Sequence, residues 1–218
     1  ADTSHELRSP LTVVLANLDL LRRNMEQHDR EICIGEAAAE AQRMRRLVND
    51  LLLLAQGDAL PAVARGLVQL NHIAEEASAT AARQSSGSPI HTQIEQAVVV
   101  GDAERLTQLL RNLLDNALRH TPAGTPIHVS LRAYDEVAEL AVADHGPGIA
   151  PEHLPHIWDR FYRVDKARTR ALGGSGLGLA IVKYIAEAHG GTIAALASPL
   201  GGLWIAVRLP RSLLKMPA

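Results

Sequence analysis

Near its start the sequence places a histidine, a carboxylate and a hydroxyl within little more than one turn of a predicted helix: His5, Glu6 and Ser9, in SHELRSPLT. If the neighbouring leucines take core positions of a heptad, His5 and Ser9 face away from that core and Glu6 lies beside the imidazole. A neutral imidazole holds a free lone pair and can act as a nucleophile or a base. Pro10 is expected to bend the same helix just beyond the histidine, at a cost of about 3 kcal/mol, which favours a functional reason, although a solvated surface histidine would give the same pattern.

A second polar set follows one stripe of the helix predicted over residues 102–120. Its members are Asn112, Asn116, Arg119 and His120. Two carboxamides one turn apart can place their oxygens on a hard cation, and Mg²⁺ takes oxygen ligands and usually relies on substrate phosphates for further coordination. The stripe therefore predicts a site for Mg²⁺ and a nucleotide, although two solvated asparagines would give the same spacing.

The stretch DHGPGI places a carboxylate, Asp144, at the end of a predicted strand and follows it with Gly146 and Gly148. Because glycine has no side chain, a flat ligand can approach the backbone closely at these positions. The segment is therefore a candidate for contact with a flat ligand beside a carboxylate.

A glycine-rich segment, GGSGLGL, precedes and enters a helix predicted over residues 175–189. Gly174, Gly176, Leu177 and Gly178 lie where unpaired amides and the positive end of the helix dipole favour phosphate. The segment does not follow a strand within a strand–helix–strand unit, which excludes a dinucleotide-binding Rossmann fingerprint. The sequence also contains no G-x-x-x-x-G-K-[ST] phosphate loop.

The histidine is predicted to lie on the first helix of a two-helix hairpin. The first covers residues 4–25, and its apolar residues recur at alternating intervals of four and three: Leu7, Leu11, Val14, Leu18, Leu21 and Met25. After a turn predicted at residues 26–31, the second repeats the alternation in Ile34, Ala37, Ala41, Met44, Val48, Leu51 and Ala55, widened by Leu47 and Leu54. One hairpin leaves apolar flanks exposed, so we expect two copies to associate as a homodimeric four-helix bundle.

The rest of the sequence predicts a separate mixed domain. We place the helical hairpin at residues 1–57, a linker rich in Ala, Gly and Pro at 58–65, and the second domain at 66–212. In the second domain, alternating segments predict strands, and Asn71 and Asp102 are predicted helix caps. The fold class is therefore α+β: a helical hairpin followed by an α/β sandwich, in which helices cover one face of a mixed sheet.

Composition narrows the classes of function. The chain has 218 residues and a formal net charge of −2, without a long run of one sign, which does not indicate a nucleic-acid partner. The longest apolar run is far shorter than the roughly 20 residues of a membrane span, and the single Cys33 can form no internal disulfide. The sequence begins at Ala1 within a predicted helix, so we expect a fragment whose upstream part is absent.

Together and in this order, these motifs closely resemble the catalytic core of the sensor histidine kinases of two-component signalling. SHELRSPL resembles their H box, RNLLDNALRHTP the N box, DHGPGI the first glycine box, IWDRFYR the F box and GGSGLGL the second glycine box. The resemblance covers essentially the whole chain. It implies a nucleotide domain of the GHKL ATPase superfamily, with the Bergerat-type ATP-binding fold.

The resemblance also implies roles for the polar residues. ATP would phosphorylate His5 on a ring nitrogen, while Glu6 orients the ring or accepts its proton. Asn116 would bind Mg²⁺, with Asn112 assisting one turn earlier. Asp144 would accept a hydrogen bond from the exocyclic amine of adenine, which favours ATP over GTP.

Further implied roles concern the phosphates and a lid. Arg119 would reach a phosphate, and His120 takes a position where the family often has an aromatic residue over the nucleotide. Residues 149–173 would form a mobile lid, in which Phe161 is a packing anchor and Arg163 polarises the γ-phosphate.

The resemblance finally implies partners and a location. His5 would pass its phosphoryl group to an aspartate on the receiver domain of a response regulator. Whether ATP phosphorylates His5 within its own chain or across the dimer stays open, because spacing does not give the handedness of the turn between the two helices. Ser9 stands where the family commonly has threonine or asparagine, residues linked to dephosphorylation of the partner, so we expect phosphatase activity to be retained. The chain would be the cytoplasmic portion of an inner-membrane sensor, attached to the membrane only through the absent upstream segment.

Two alternatives belong to other classes of protein. A GHKL ATPase of the chaperone or topoisomerase type uses ATP for conformational change, but such proteins place a glutamate where Asn112 stands, and an amide cannot activate water as a base. A dimerisation module without catalysis is the second alternative. The intact His5, asparagines and glycines argue against it.

Overall fold

The computed structural model describes residues 2–23, 25–55, 66–85, 87–164, 174–198 and 201–212, with the backbone alone for residues 2–5. The chain divides into two compact units, Ala1–Gly57 and Asp58–Ala218. The linker predicted at residues 58–65 lies outside the described residues.

The first unit is a hairpin of two helices, α1 (Asp2–Leu21) and α2 (Gln27–Ala55), which pack against each other. The turn predicted at residues 26–31 is wrong, because α2 already begins at Gln27. This polar stretch forms the exposed first turn of α2 instead. There Asp29 complements the helix dipole, and Gln27 Nε2 donates a hydrogen bond to Glu31 Oε1 at 3.0 Å.

The apolar seam predicted on α1 divides between two faces of the helix. The inner stripe, which is buried or half-buried, consists of Leu7, Pro10, Val14, Asn17 and Leu21. Leu11 and Leu18 of the predicted seam are instead 44% and 48% exposed. The prediction merged two neighbouring stripes, because both repeat with heptad spacing and only one of them can face α2.

The second helix shows the same division. Cys33, Leu47 and Leu54 are buried, whereas Ile34 and Val48 are 52% and 42% exposed. The exposed stripes of the two helices form what we call the outer apolar face: Leu11, Leu15, Leu18, Ile34, Val48 and Leu52. Large apolar side chains exposed at helical spacing on both helices are characteristic of an interface with another protein.

The second unit is built on a five-stranded mixed sheet, with a separate pair of strands. The strands are β1 (Gly66–Gln69), β2 (Ile90–Ile94), β3 (Val98–Gly101), β4 (Ile127–Ala133), β5 (Val137–Ala143), β6 (Thr192–Ala197) and β7 (Leu203–Pro210). The large sheet has the order β2-β4-β5-β7-β6, in which β2 and β4 are parallel and the other neighbours antiparallel. Strands β1 and β3 form the antiparallel pair.

Helices cover one face of the large sheet. They are α3 (Leu70–Gln84), α4 (Ala103–His120) and α5 (Gly178–Ala188). Along β4, Ile127, Val129 and Leu131 are buried, and the alternate residues His128 and Ser130 are only half-buried. Because side chains alternate between the faces of a strand, the buried set lies under the helices and the other set on the open face. This confirms the predicted α+β sandwich with helices on one face.

The predicted helix caps had different outcomes. Asp102 Oδ1 accepts hydrogen bonds from the amides of Glu104 and Arg105 at 2.8 and 3.3 Å, which confirms it as the N-cap of α4. Asn71 is not a cap, because α3 already begins at Leu70 and Asn71 is buried within its first turn.

His189 fixes the position of α5 along α4. Its Nε2 accepts a hydrogen bond from the Asp102 amide at 3.1 Å, and its Nδ1 donates one to the Ile185 carbonyl at 2.7 Å. The ring packs so closely on Gly101 that a Cβ there would lie 2.5 Å from His189 Cδ2. These contacts join the end of α5 to the start of α4, and the two helices together position the predicted site.

The core lies between the large sheet and the helices. On α4 it is formed by a continuous leucine face, Leu106, Leu109, Leu110, Leu113 and Leu114, all of them almost fully buried. None of the helices in the described part of the chain has both the length and the apolar character needed to cross a membrane.

Candidate nucleotide site and phosphoacceptor helix

The polar stripe on α4 lies beside the glycine-rich segment. Asn112 and Asn116 are half-buried on the flank of the leucine face, and Asn112 Nδ2 donates a long hydrogen bond, 3.4 Å, to the Gly178 carbonyl. The structure therefore places Asn112 in contact with the predicted phosphate-binding segment, and Asn116 lies one turn further along the same helix. Arg119 and His120 are exposed at the end of α4.

Asp144 is held at the end of β5 by backbone groups. The residue is 5% exposed, and its Oδ1 accepts hydrogen bonds from the amides of Gly146, at 2.7 Å, and Leu203, at 3.2 Å. Since both of these bonds go to Oδ1, Oδ2 is left to accept a hydrogen bond from a ligand. A buried carboxylate acceptor with a fixed orientation suits the exocyclic amine of adenine.

Two glycines are required by the space around Asp144. A Cβ at Gly146 would lie 2.9 Å from Asp144 Oδ1 and 2.9 Å from the His120 carbonyl oxygen. A Cβ at Gly202 would lie 2.2 Å from Asp144 Oδ1 and 2.3 Å from the Asp144 carbonyl oxygen. Gly202 was missed by the sequence analysis. The doubled glycine before the last strand was its only signal.

The F-box residues contact the glycine-rich segment. Phe161 has a positive φ of 64°, and its amide donates a hydrogen bond to the Gly176 carbonyl at 2.9 Å. Gly176 has a φ of +71°, and a Cβ there would lie 2.8 Å from the Phe161 carbonyl carbon. Arg163 Nη2 donates to the Gly174 carbonyl, so the guanidinium lies at the same segment. The structure thus brings these four predicted residues together.

The start of α5 explains the role of the remaining glycines. The helix begins at Gly178, later than predicted, because the turn at Gly176 precedes it. Leu177 is fully buried, so its side chain belongs to the core. A Cβ at Gly178 would meet nothing within 4 Å, so packing does not require this glycine. Gly148 has a φ of +70°, a conformation that favours glycine.

The donors present fit Mg²⁺ completed by nucleotide phosphates. Within the described residues, no three or more His, Cys, Asp or Glu side chains are grouped as a metal site. Asn112 and Asn116 offer two neutral amide oxygens one turn apart, and Mg²⁺ commonly combines a few protein oxygens with phosphates and water. These two residues would hold the ion, which would neutralise phosphate charge.

The predicted phosphoacceptor lies on α1 of the first unit. Ser9 is exposed and Glu6 is half-buried, while α1 continues through Pro10. Arg8, Ser9, Thr12 and Val13 line a shallow surface depression. The side chain of His5 lies outside the described atoms, so its outward orientation stays a prediction.

Comparison with known proteins shows where the chain belongs. Residues 1–60 match the His Kinase A (phospho-acceptor) domain, and residues 101–213 match the histidine kinase-, DNA gyrase B-, and HSP90-like ATPase. The chain is 37% identical to the signal transduction histidine-protein kinase BaeS of Escherichia coli, over 96% of this chain and 46% of BaeS. It is 39% identical to the probable sensor histidine kinase TcrY of Mycobacterium tuberculosis, over 96% of this chain and 45% of TcrY.

A solved structure has the same fold. The Acinetobacter baumannii histidine kinase AdeS aligns with a TM-score of 0.72, covering 94% of this chain and 97% of that one, at 23% identity. The chain spans about half the length of the curated relatives it matches. Since the two family models together cover most of the sequence in the order of its motifs, the chain belongs to the sensor histidine kinases.

Proposed function

We propose that this chain is the ATP-dependent protein-histidine kinase core of a two-component sensor, and that it transfers the γ-phosphoryl group of ATP to His5. The observation that carries the proposal is that two features adjoin the same helix, α4: the buried carboxylate Asp144, whose neighbour Gly146 lies close to the His120 carbonyl, and the segment that begins α5, which Asn112 contacts. An adenine acceptor and a phosphate cradle are the two parts that an ATP site needs.

The chemistry is an in-line displacement at phosphorus. A lone pair on an imidazole nitrogen of His5 attacks the γ-phosphorus, the bond from that phosphorus to the bridging β–γ oxygen breaks, and ADP leaves with the electron pair. Glu6, the next residue on α1, orients the ring and accepts the proton that the other nitrogen gives up. Mg²⁺, when bound at Asn112 and Asn116, supplies charge neutralisation for the phosphates.

Residues of the F box and the second glycine box stabilise the transferred charge. Arg163 already lies at the Gly174 carbonyl, from which its guanidinium can turn to the γ-phosphate. Backbone amides at the start of α5 and the positive end of its dipole favour the remaining phosphates. Arg119 reaches a phosphate from the exposed end of α4, and His120 packs over the nucleotide.

The partners follow from the same chemistry. A phosphoimidazole is a high-energy donor, and we propose that an aspartate on a response-regulator receiver domain accepts its phosphoryl group. Ser9, exposed one turn after His5, can hold a water that attacks the phosphoaspartate of that partner and releases inorganic phosphate. The outer apolar face supports a homodimer through the hairpin. Because ATP is the co-substrate, we place this region on the cytoplasmic side of the membrane, tethered through an upstream segment.

Asn112 distinguishes this proposal from an ATPase that uses ATP for conformational change. An amide that donates to the Gly178 carbonyl cannot serve as the base that activates water. We therefore expect slow ATP hydrolysis and preferred transfer to histidine.

The test is to incubate the chain with γ-labelled ATP and Mg²⁺ and to examine the linkage of the protein-bound label. The proposal predicts label that is lost in acid and kept in base, the behaviour of a phosphoramidate. It also predicts that Asp144→Asn abolishes labelling, because the amide presents donors toward the adenine amine. Release of free phosphate without labelled protein would contradict the proposal and favour the conformational ATPase.

A further inference from the structure

Three imidazoles stand in a row on the open face of the large sheet and in the loop that follows it. His91 on β2 and His128 on β4 are direct partners in the parallel pairing, and their ring centroids are 5.1 Å apart with an interplanar angle of 36°. The ring of His145, in the loop after β5, meets His128 edge-on, at 5.4 Å and 74°. The proposed function uses none of these three side chains.

A hydrogen bond from Nδ1 anchors the ring of His145. Its Nδ1 lies 2.8 Å from the Pro126 carbonyl oxygen, and because a carbonyl only accepts, Nδ1 carries the hydrogen. Pro126 immediately precedes β4, so this bond joins the loop after β5 to the start of the neighbouring strand. His145 therefore has a hydrogen-bonded edge and a packed edge, which together fix its ring.

The chain neighbours of His145 are the parts of the proposed adenine site. Asp144 precedes it, and Gly146, whose amide donates to Asp144 Oδ1 at 2.7 Å, follows it. The direction of the carboxylate thus depends on the path of the backbone through His145. A shift of this path would turn Oδ2 away from the adenine amine or break the Gly146 hydrogen bond.

We propose that His145, anchored to the Pro126 carbonyl and braced by His128 and His91, is a positioning residue that sets the orientation of the adenine-binding carboxylate Asp144. The inference rests on the proposed function, because it names what positions that same site. The inference goes beyond the proposed function by assigning a role to three histidines and by making nucleotide affinity depend on their charge state.

The charge dependence follows from what surrounds His128. Burial lowers the pKa of His128 below its ordinary value of 6.5, and the neighbouring His91 and His145 lower it further. On the same face, Arg132 on β4 and Glu139 on β5 are register partners four positions along the strands. Glu139 Oε2 accepts a hydrogen bond from Arg208 Nε on β7 at 2.7 Å, so its charge is already paired. Helix α3 packs on the opposite face of β2 and β4.

Other carboxylates near the row are turned elsewhere. Glu95 accepts a hydrogen bond from the Ala133 amide at 2.8 Å, and Asp144 faces the backbone of Gly146 and Leu203. Protonation of His128 is therefore unfavourable beside its two imidazole neighbours, because repulsion between the rings accompanies it. The repulsion would push the His145 ring from His128 and loosen the loop, so adenine affinity should fall as the pH falls.

The first test is MgADP and MgGDP binding by the full chain at about pH 8, measured by calorimetry for the wild type and His145→Leu. Loss of the anchoring hydrogen bond should weaken MgADP binding roughly three- to tenfold and reduce the preference for ADP over GDP. The change in base preference separates positioning from a general loss of structure. Unchanged affinity and unchanged preference in His145→Leu would overturn the inference.

The second test compares pH profiles, which keeps the inference testable if His145→Leu fails to fold. Between about pH 8 and pH 5.5, MgADP affinity should fall less in His128→Gln than in the wild type. His72→Gln, at an exposed position on α3, is the matched control and should follow the wild type. Identical profiles for all three proteins would overturn the inference alone, whereas a wild-type chain that binds no MgADP at pH 8 would overturn the proposed function as well.

Discussion

At the scale of single residues, the orientation of Asp144, the proposed adenine acceptor, depends on backbone groups of other residues. Asp144 Oδ1 is held by two backbone amides, one from the next turn of the loop and one from β7, far along the chain. The carbonyl and the carboxylate of Asp144 both lie in the space that a Cβ at Gly202 would occupy. The geometry of the site is therefore set by close backbone approach between β5 and β7.

This packing predicts a large effect of Gly202→Ala. The new Cβ would lie 2.2 Å from Asp144 Oδ1 and 2.6 Å from the Asp144 carbonyl carbon, so the backbone as well as the side chain must move. A displacement of this size should weaken ATP binding about 10- to 100-fold. Binding is measured by calorimetry, and Gly66→Ala, where a Cβ would meet nothing within 4 Å, is the control. Wild-type affinity in Gly202→Ala would refute this account of the site.

Residue types and local spacing predicted much of the site but not its supports. A carboxylate followed by two glycines and a pair of asparagines one turn apart are local patterns, and the first of these asparagines, Asn112, contacts the start of α5. Gly202 and the brace around His145 depend on contacts between strands that are distant in sequence. No local spacing encodes such contacts, so the sequence analysis could not identify these residues.

At the scale of elements, the hairpin shows which information a heptad pattern lacks. Both apolar stripes of α1 repeat at alternating intervals of three and four, and the pattern alone does not distinguish the stripe that faces α2. In the structure, the buried Asn17 identifies the stripe that faces α2, because its Nδ2 donates a hydrogen bond to Glu36 Oε2 at 3.3 Å. The polar start of α2 has the composition of a turn, because exposed first turns of helices and turns share their residue types.

A half-buried carboxylate makes the hairpin sensitive to pH. Burial raises the pKa of Asp50 on α2 from 3.8 to about 6, and Arg46 opposes the shift. The folded state therefore holds this proton more tightly than the unfolded state does, so the free energy of unfolding falls as the pH rises from about 3.8 through 6. Asp50→Asn removes this loss.

The expected gain for Asp50→Asn at about pH 7.5 is ~1–2 kcal/mol, after reducing the full linkage value because the half-buried group is partly screened by solvent. Urea unfolding, followed by the helical circular dichroism signal at fixed protein concentration, measures it at about pH 5 and pH 7.5. Asp19→Asn, at an exposed position on α1, is the control and should show no such gain. Equal pH dependence in the wild type and Asp50→Asn would show that burial of this carboxylate is not costly.

At the scale of the whole molecule, the two units differ in how much of their apolar surface they bury. The second unit buries its own core between the large sheet and the helices. Its fold class was predictable, because alternating residues in strands and the leucine face of a helix indicate which side is buried. The hairpin leaves the outer apolar face uncovered, with Leu11 and Leu18 nearly half exposed. A second copy of the hairpin offers the complementary stripe, which is the arrangement of a four-helix bundle.

This predicts that Leu18→Glu converts the chain from dimer to monomer. The substitution would place a charge within the outer apolar face, where burial without a partner is unfavourable. Sedimentation equilibrium gives the mass directly. Leu196→Glu, at an exposed position on β6, should leave the mass unchanged. A Leu18→Glu chain that remains dimeric would place the interface elsewhere.

The central claim is that one imidazole accepts the phosphoryl group, and the most direct measurement is the location of that group after reaction with ATP and Mg²⁺. Mass spectrometry of peptides prepared at alkaline pH should find phosphohistidine at His5, and His5→Gln should contain none. His28→Gln, an exposed histidine on α2, should be modified as in the wild type. Phosphorylation that survives in His5→Gln, or that lies on another residue in the wild type, would contradict the account.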